Sequence, residues 1–196
     1  MRPLAAVTVS CALMILAAGC GATPASRFYT LSAATTPNTT SSDVSVAVGP
    51  VSVPASVDRP QIVVSMSANQ VWLDEFNRWA SPLQNNIARV VAENLVAMLG
   101  TPRVTIFPQT LSAAADYRAA IEVQRFDSAP GDAATLDAVW TISRTKDGKS
   151  RTGRTTVRET APDKSYDALA AAHSRAVAQL SRDMADAVLA LDRSVQ

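Results

Sequence analysis

Apolar residues recur at two different periods along this chain, and the two periods predict different elements. Leu83, Ile87, Val90, Val91, Leu95 and Met98 return every three or four positions and line one side of an α-helix over residues 82–99. Its ends are marked too. Ser81 is placed as an N-cap, Pro82 at the first helical position and Gln84 for a reciprocal capping bond. Gly100 and Pro102 stand where a helix stops. A second stripe, Leu169, His173, Ala176, Leu180, Met184, Ala187 and Leu191, predicts a long amphipathic helix over about 165–191.

Elsewhere the pattern alternates, as in strands with one buried face. Tyr117, Ala119, Ile121 and Val123 alternate with Arg118, Ala120, Glu122 and Gln124. Leu136, Ala138, Trp140 and Ile142 do the same, and Asp147-Gly148 is a hairpin turn before a returning strand at 151–159. Val44, Val46 and Val48 lead into Gly49-Pro50 and then Val51 and Val53, a strand with a break or bulge. Ile62 to Met66 and Val71 to Leu73 read as strands around the turn Ser67-Ala68-Asn69. Arg27 to Leu31 and Val104 to Phe107 are shorter strands, and Ser32 to Asp43 reads as a surface loop or linker. The order strands, helix, strands, helix predicts a single α+β domain. Its mostly antiparallel mixed sheet carries two helices packed on one face.

The beginning of the chain follows another rule. In MRPLAAVTVSCALMILAAGC, a basic start precedes an apolar run from Leu4 to Leu16, then Ala17, Ala18 and Gly19, then Cys20. The run is shorter than the roughly 20 residues a spanning helix needs, and it suits the apolar part of a secretory signal. The cysteine after small residues resembles the lipobox of bacterial lipoproteins, with Ala17 where leucine is commonest. That resemblance implies cleavage between Gly19 and Cys20 and acylation of Cys20. An ordinary cleaved signal is the alternative.

Composition narrows the picture further. The chain has 196 residues, a net charge of +1 and 47% hydrophobic residues, enough for one domain with a core of its own. Its two cysteines are Cys11, inside the signal, and Cys20, so the mature domain is expected to hold no disulfide. The balanced charge gives no sign of nucleic acid as a partner and no polybasic surface for anionic lipid. The membrane link therefore falls to the acyl chains.

Candidate chemistry is sparse. The single histidine, His173, lies on the apolar stripe of its helix, where a core-edge role is expected, and zinc-type ligand spacings are absent. Asp74-Glu75 reads as a solvated acidic pair, and Lys164-Ser165 as a helix cap rather than a nucleophile with its base. The run Arg144, Lys146, Lys149, Arg151, Arg154 and Arg158 reads as a solvated basic face. Gly131, Gly148 and Gly153 read as turn residues. No catalytic residue, metal ligand or cofactor is predicted. Trp72, Phe76 and Trp79 are spaced four and three apart, as on one face of a helical turn. They serve either as a staple holding the entry of the first helix in the core or as an aromatic anchor for a protein partner. The expected division puts Trp79 in the core and leaves Trp72 or Phe76 partly exposed.

Several fragments in order resemble the ABC-transport auxiliary lipoproteins. After the lipobox come Phe28-Tyr29-Thr30-Leu31, Val48-Gly49-Pro50-Val51-Ser52-Val53-Pro54, and Asp58-Arg59-Pro60-Gln61-Ile62-Val63. Arg78-Trp79-Ala80-Ser81-Pro82-Leu83 and Ala92-Glu93-Asn94-Leu95 follow. A departure is Ser81, where the family more often has an acidic residue. The resemblance implies a signal peptide over residues 1–19, a leader with the acylated Cys20, first strand and loop over 20–43, and the family's domain over 44–196. It also implies a non-catalytic subunit of an envelope lipid-transport system. Its partners would be a mammalian-cell-entry (MCE) domain protein and an inner-membrane ABC transporter, with this chain at the outer membrane, facing the periplasm. Gly21 is consistent with that sorting, and a homo-oligomer is compatible with it. The other reading is a stand-alone lipid-binding or lipid-modifying lipoprotein. An apolar cavity would favour that reading and a filled core the docking subunit.

Overall fold

Alternation builds the centre of the molecule. The computed structural model describes residues 24–35 and 42–193. Strand β6 (Tyr117–Ala129) pairs antiparallel with β7 (Ala133–Arg144) along its whole length, and β8 (Ser150–Thr160) returns along β7. Tyr117, Ala119, Ile121 and Val123 are buried. A register shift between Val123 and Arg125 then returns Phe126 to the buried side.

The other edge of β6 is shared. β2 (Val46–Ser52) runs parallel to its first half, with β5 (Val104–Ile106) parallel beyond. β3 (Gln61–Ser67) meets the far end of β6 at Val64 and Ser128, and pairs antiparallel with β4 (Gln70–Trp79). β1 (Arg27–Tyr29) adds parallel to the end of β4. The result is an eight-stranded mixed sheet in which most residue pairings are antiparallel. The expected break in the first long strand is a register shift between Val48 and Val51 in the pairing of β2 with β6.

Helices α1 (Leu83–Leu99) and α2 (Tyr166–Arg193) cover one face of this sheet and touch each other. Ile87, Val90, Val91 and Leu95 of α1 join Leu169, Ala176, Leu180 and Met184 of α2. Together they enclose Val46, Val48, Ile121, Leu136 and Ile142 of the strands. Inside this apolar layer Asn94 Nδ2 donates to Ser181 Oγ at 3.1 Å, and Ser181 donates back to the Val177 carbonyl at 2.7 Å. Both helices are thereby held in one register.

Three local expectations need correction. Ser81 does not cap α1: Pro82 is the N-cap residue, and no side chain caps it. The Pro82 carbonyl instead accepts from the amides of Asn85 and Asn86, each at 3.0 Å. The C-terminus is as expected, with Gly100 left-handed at φ 62°. Gly153 is no turn residue; it lies inside β8 opposite Trp140. Arg144 is not solvated. Its guanidinium is buried, donates to both carboxylate oxygens of Asp147 (2.8 and 2.6 Å) and reaches the Leu191 carbonyl of α2 at 2.7 Å. Leu31, at the end of the expected first strand, is fully buried in the core.

Candidate functional site

If the chain is anchored at Cys20, the segment that follows decides how the domain is held. Gly19 and Cys20 lie outside the described residues. From Arg27 onward the chain is docked. Tyr29 donates its hydroxyl to Asn77 Oδ1 at 2.8 Å, packs near Tyr166, and accepts the Ala80 amide on its carbonyl at 2.8 Å. The next residues cross both helices. Asn86 accepts the Leu31 amide at 3.3 Å, Arg89 donates to the Leu31 carbonyl at 2.6 Å, and Ser174 accepts the Ser32 amide at 3.1 Å. Asn94 accepts the Ala34 amide at 3.3 Å. Apolar burial of Leu31 and amide-by-amide capture leave little play after β1.

Beside β1 runs the strand with the aromatic residues. Trp72, Phe76 and Trp79 lie on β4 and not on a helical turn. Their spacing mimics a helix because the strand is bulged. Gln61 pairs with Arg78 while Ile62 pairs with Asp74, so extra residues of β4 loop out between these pairs. Asp74 makes the loop. Its Oδ1 accepts the amides of Phe76 (2.8 Å) and Asn77 (2.9 Å), and its Oδ2 accepts the Tyr166 hydroxyl at 2.7 Å. The acidic pair therefore includes one structural carboxylate, tied to the start of α2. Beyond the bulge Trp79 turns inward.

The three aromatic residues part company in consequence. Trp79 is 6% exposed and stands edge-on to Phe126 and His173. Trp72 is 59% exposed and Phe76 is partly exposed. The patch is larger than those two, because Met66, Val71, Leu73 and Phe28 are exposed as well. Sequence reasoning missed these further members. The signal available was the lack of any charged residue from Pro60 to Leu73.

Two of the concavities among the described residues bear on the site. One, of about 330 Å³, lies between Asp58-Arg59-Pro60 and Trp79-Ala80-Ser81-Pro82, where the Trp79 amide donates to the Pro60 carbonyl at 2.7 Å. Two of the fragments that carry the family resemblance thus meet in space. The second, about 570 Å³ and open, lies at the Tyr117 end of β6 and is lined by Asp43, Arg103, Asp116, Arg144, Lys146 and Asp192. Arg103 donates to Asp43 at 2.7 Å there, and the Tyr117 hydroxyl to Asp192 at 3.1 Å. Half of the basic run is likewise paired: Arg144 with Asp147, Arg154 with Asp137, and Arg158 with Asp132. Among the described residues no group of His, Cys, Asp and Glu side chains is placed to hold a metal ion.

His173 sits deeper than a core edge. It is fully buried, stacked on Phe126 at 3.8 Å, with Nε2 against Ser128 Oγ at 2.8 Å and Nδ1 without a partner. Burial pushes its pKa down to about 3. The unfolded chain protonates this group below about 6.5 while the folded chain keeps it neutral, so stability falls as pH drops from about 6.5 toward 3. At pH 5 the loss relative to pH 7.5 should be about 2 kcal/mol. It is the one histidine of the chain. The carboxylates of Asp137 and Asp147, held low by bonds from Arg154 and Arg144, weaken the fold only below their unfolded range near pH 4. Urea titrations at pH 7.5 and 5 check this: His173→Gln should remove most of the difference, and an unchanged slope would show that His173 does not cause it.

The sheet, the two helices and the docked strand β1 define a single α+β domain. The chain matches the family described as the ABC-type transport auxiliary lipoprotein component over residues 29–185. It belongs to that family. The match begins at Tyr29, whose hydroxyl the fold ties to Asn77. A solved protein described as uncharacterized superposes with a TM-score of 0.69 at 19% identity, covering 84% of this chain and 99% of the other. A DUF330-family protein of Xanthomonas campestris superposes with a TM-score of 0.67 at 21% identity, covering 87% and 100%. At these identities the likeness shows the fold. No curated protein matches the chain.

Proposed function

We propose that this chain is the non-catalytic, membrane-anchored subunit of an envelope lipid-transport system. Cleaved after Gly19 and acylated on Cys20, it sits in the outer membrane facing the periplasm. There it docks the trans-periplasmic bridge formed by an MCE-domain protein, whose inner-membrane ABC transporter hydrolyses ATP. The observation that carries this reading is the match to an auxiliary lipoprotein family across residues 29–185. Two structural features support it. The space between sheet and helices is filled by side chains such as Leu136, Ile142, Leu180 and Met184, as suits a docking subunit rather than a lipid shuttle. β1 is docked on β4 and the residues from Leu31 to Ala34 are clasped by both helices, which leaves a short tether to an anchor at Cys20, so the domain is held close to its membrane and the partner comes to it.

Affinity purification of the full-length acylated protein from detergent-solubilised envelopes tests the reading. The expected result is co-purification of an MCE-domain chain together with a transporter ATPase. Recovery of the protein with bound phospholipid and neither of those chains would support the stand-alone lipid-binding reading instead.

A further inference from the structure

The β3–β4 hairpin carries exposed apolar side chains just behind its polar turn, Ser67-Ala68-Asn69-Gln70. Met66 and Val71 are 63% and 60% exposed, and Trp72, Leu73 and Phe76 are exposed beside them. Val71 and Leu73 project to one side of the strand and Trp72 to the other, because neighbouring strand residues alternate. Both sides of the hairpin end are thus apolar, whereas a hairpin lying on a protein partner needs only one. From Pro60 to Leu73 there is no charged residue. Exposed apolar side chains grouped at one end of a hairpin in this way mark an interaction surface.

The direction of the leader says which surface. β1 is parallel to β4, with Arg27 opposite Asn77 and Tyr29 opposite Trp79. The chain that precedes Arg27 is therefore aimed back along β4, toward the tip. Cys20 precedes Arg27 by as many residues as Gln70 precedes Asn77, and an extended leader of that length reaches at most about 25 Å. The leader from Cys20 to Ser26 is uncharged, and Phe28 beside it is exposed. An acyl anchor at Cys20 is thus within reach of a plane that the hairpin end also meets.

We propose that the end of the β3–β4 hairpin dips into the headgroup layer of the bilayer that holds the Cys20 acyl chains, with the Trp72 ring at the acyl boundary. This rests on the acyl anchor of the proposed function and adds a second, protein-made contact that fixes how the domain stands on its membrane. Insertion is shallow. The β4 edge from Gln70 to Phe76 is not paired with β1, and unpaired backbone groups are not tolerated in the hydrocarbon interior. Trp suits the interface, with an apolar ring and one N–H donor.

Trp72 is itself the probe, since Trp79 and Trp140 are buried. The full-length acylated protein is reconstituted into vesicles of phosphatidylethanolamine and phosphatidylglycerol, with or without phosphatidylcholine brominated on its acyl chains. Flotation reads the acyl anchor, and tryptophan quenching reads the hairpin. The expected result is that the wild type floats and loses the Trp72 part of its emission to bromine. Trp72→Phe should float and show no such loss. Val71→Asp, at an exposed position, should float with Trp72 no longer quenched. A protein that floats while Trp72 emission is the same in both vesicles overturns the proposal, and the hairpin end is then a protein-docking surface. A protein that does not float, with Cys20 unmodified by mass, overturns the anchor first and this proposal with it.

Discussion

Trp79→Ala should cost the fold about 3–5 kcal/mol, the range for truncating a buried tryptophan. The ring is buried at the end of β4 and stands edge-on to Phe126 and His173, with centroids 6.1 and 6.3 Å away. Removing it leaves a cavity against an imidazole whose Nδ1 already lacks a partner. Domains are stable by only about 5–15 kcal/mol in total, so the variant should be marginal. Trp72→Ala removes an exposed ring and should stay within about 0.5 kcal/mol of wild type. Urea denaturation of the two variants compares them directly. Equal losses would mean that the bulge at Asp74 does not separate the two tryptophans as described.

Gly153→Ala is the second large effect. A Cβ at Gly153 would lie 2.2 Å from Cζ2 and 2.6 Å from Cη2 of Trp140, inside the ring's contact surface. The indole has little room to yield. Its Nε1 donates to Thr155 Oγ1 at 3.0 Å, and Thr155 donates to Asp183 of α2 at 2.5 Å. Overpacking of this kind costs about 1–3 kcal/mol, and swinging the ring away breaks a further bond worth about 1 kcal/mol. In a Trp140→Leu background the same substitution should cost far less, because the obstructing ring is gone. A double-mutant cycle measures this, and additive losses would contradict the described packing.

These two positions show what the sequence conveyed and what it withheld. The helices were legible because Leu83 to Met98 and Leu169 to Leu191 keep one period over several turns, and Ser165 caps α2 as read, accepting the Ala168 amide at 3.1 Å. Alternation likewise revealed β6 and β7. What failed was local chemistry with a distant partner. Asp74 folds β4 back on itself, so Trp72, Phe76 and Trp79 carry helical spacing on a strand. Gly153 is small because Trp140, on the neighbouring strand, lies over it. Arg144 belongs to a run of basic residues, yet its charge is used internally by Asp147 and the end of α2. Each of these depends on a contact made only once the sheet is assembled. Among the candidate partner-binding residues the exposed and buried members were separable in outline, but not the aliphatic surroundings of Trp72.

The account as a whole hangs on Cys20, since the short leader, the docked β1 and the hairpin end within reach of the same plane matter only for an anchored chain. The most direct measurement is the mass of the mature N-terminal peptide, taken from membranes without reductive or hydrolytic workup. The account predicts a peptide that begins at Cys20 and carries acyl chains on the thiol and the amino group, and a Cys20→Ala precursor that is neither cleaved nor acylated. An unmodified mature chain beginning at any other residue would contradict it.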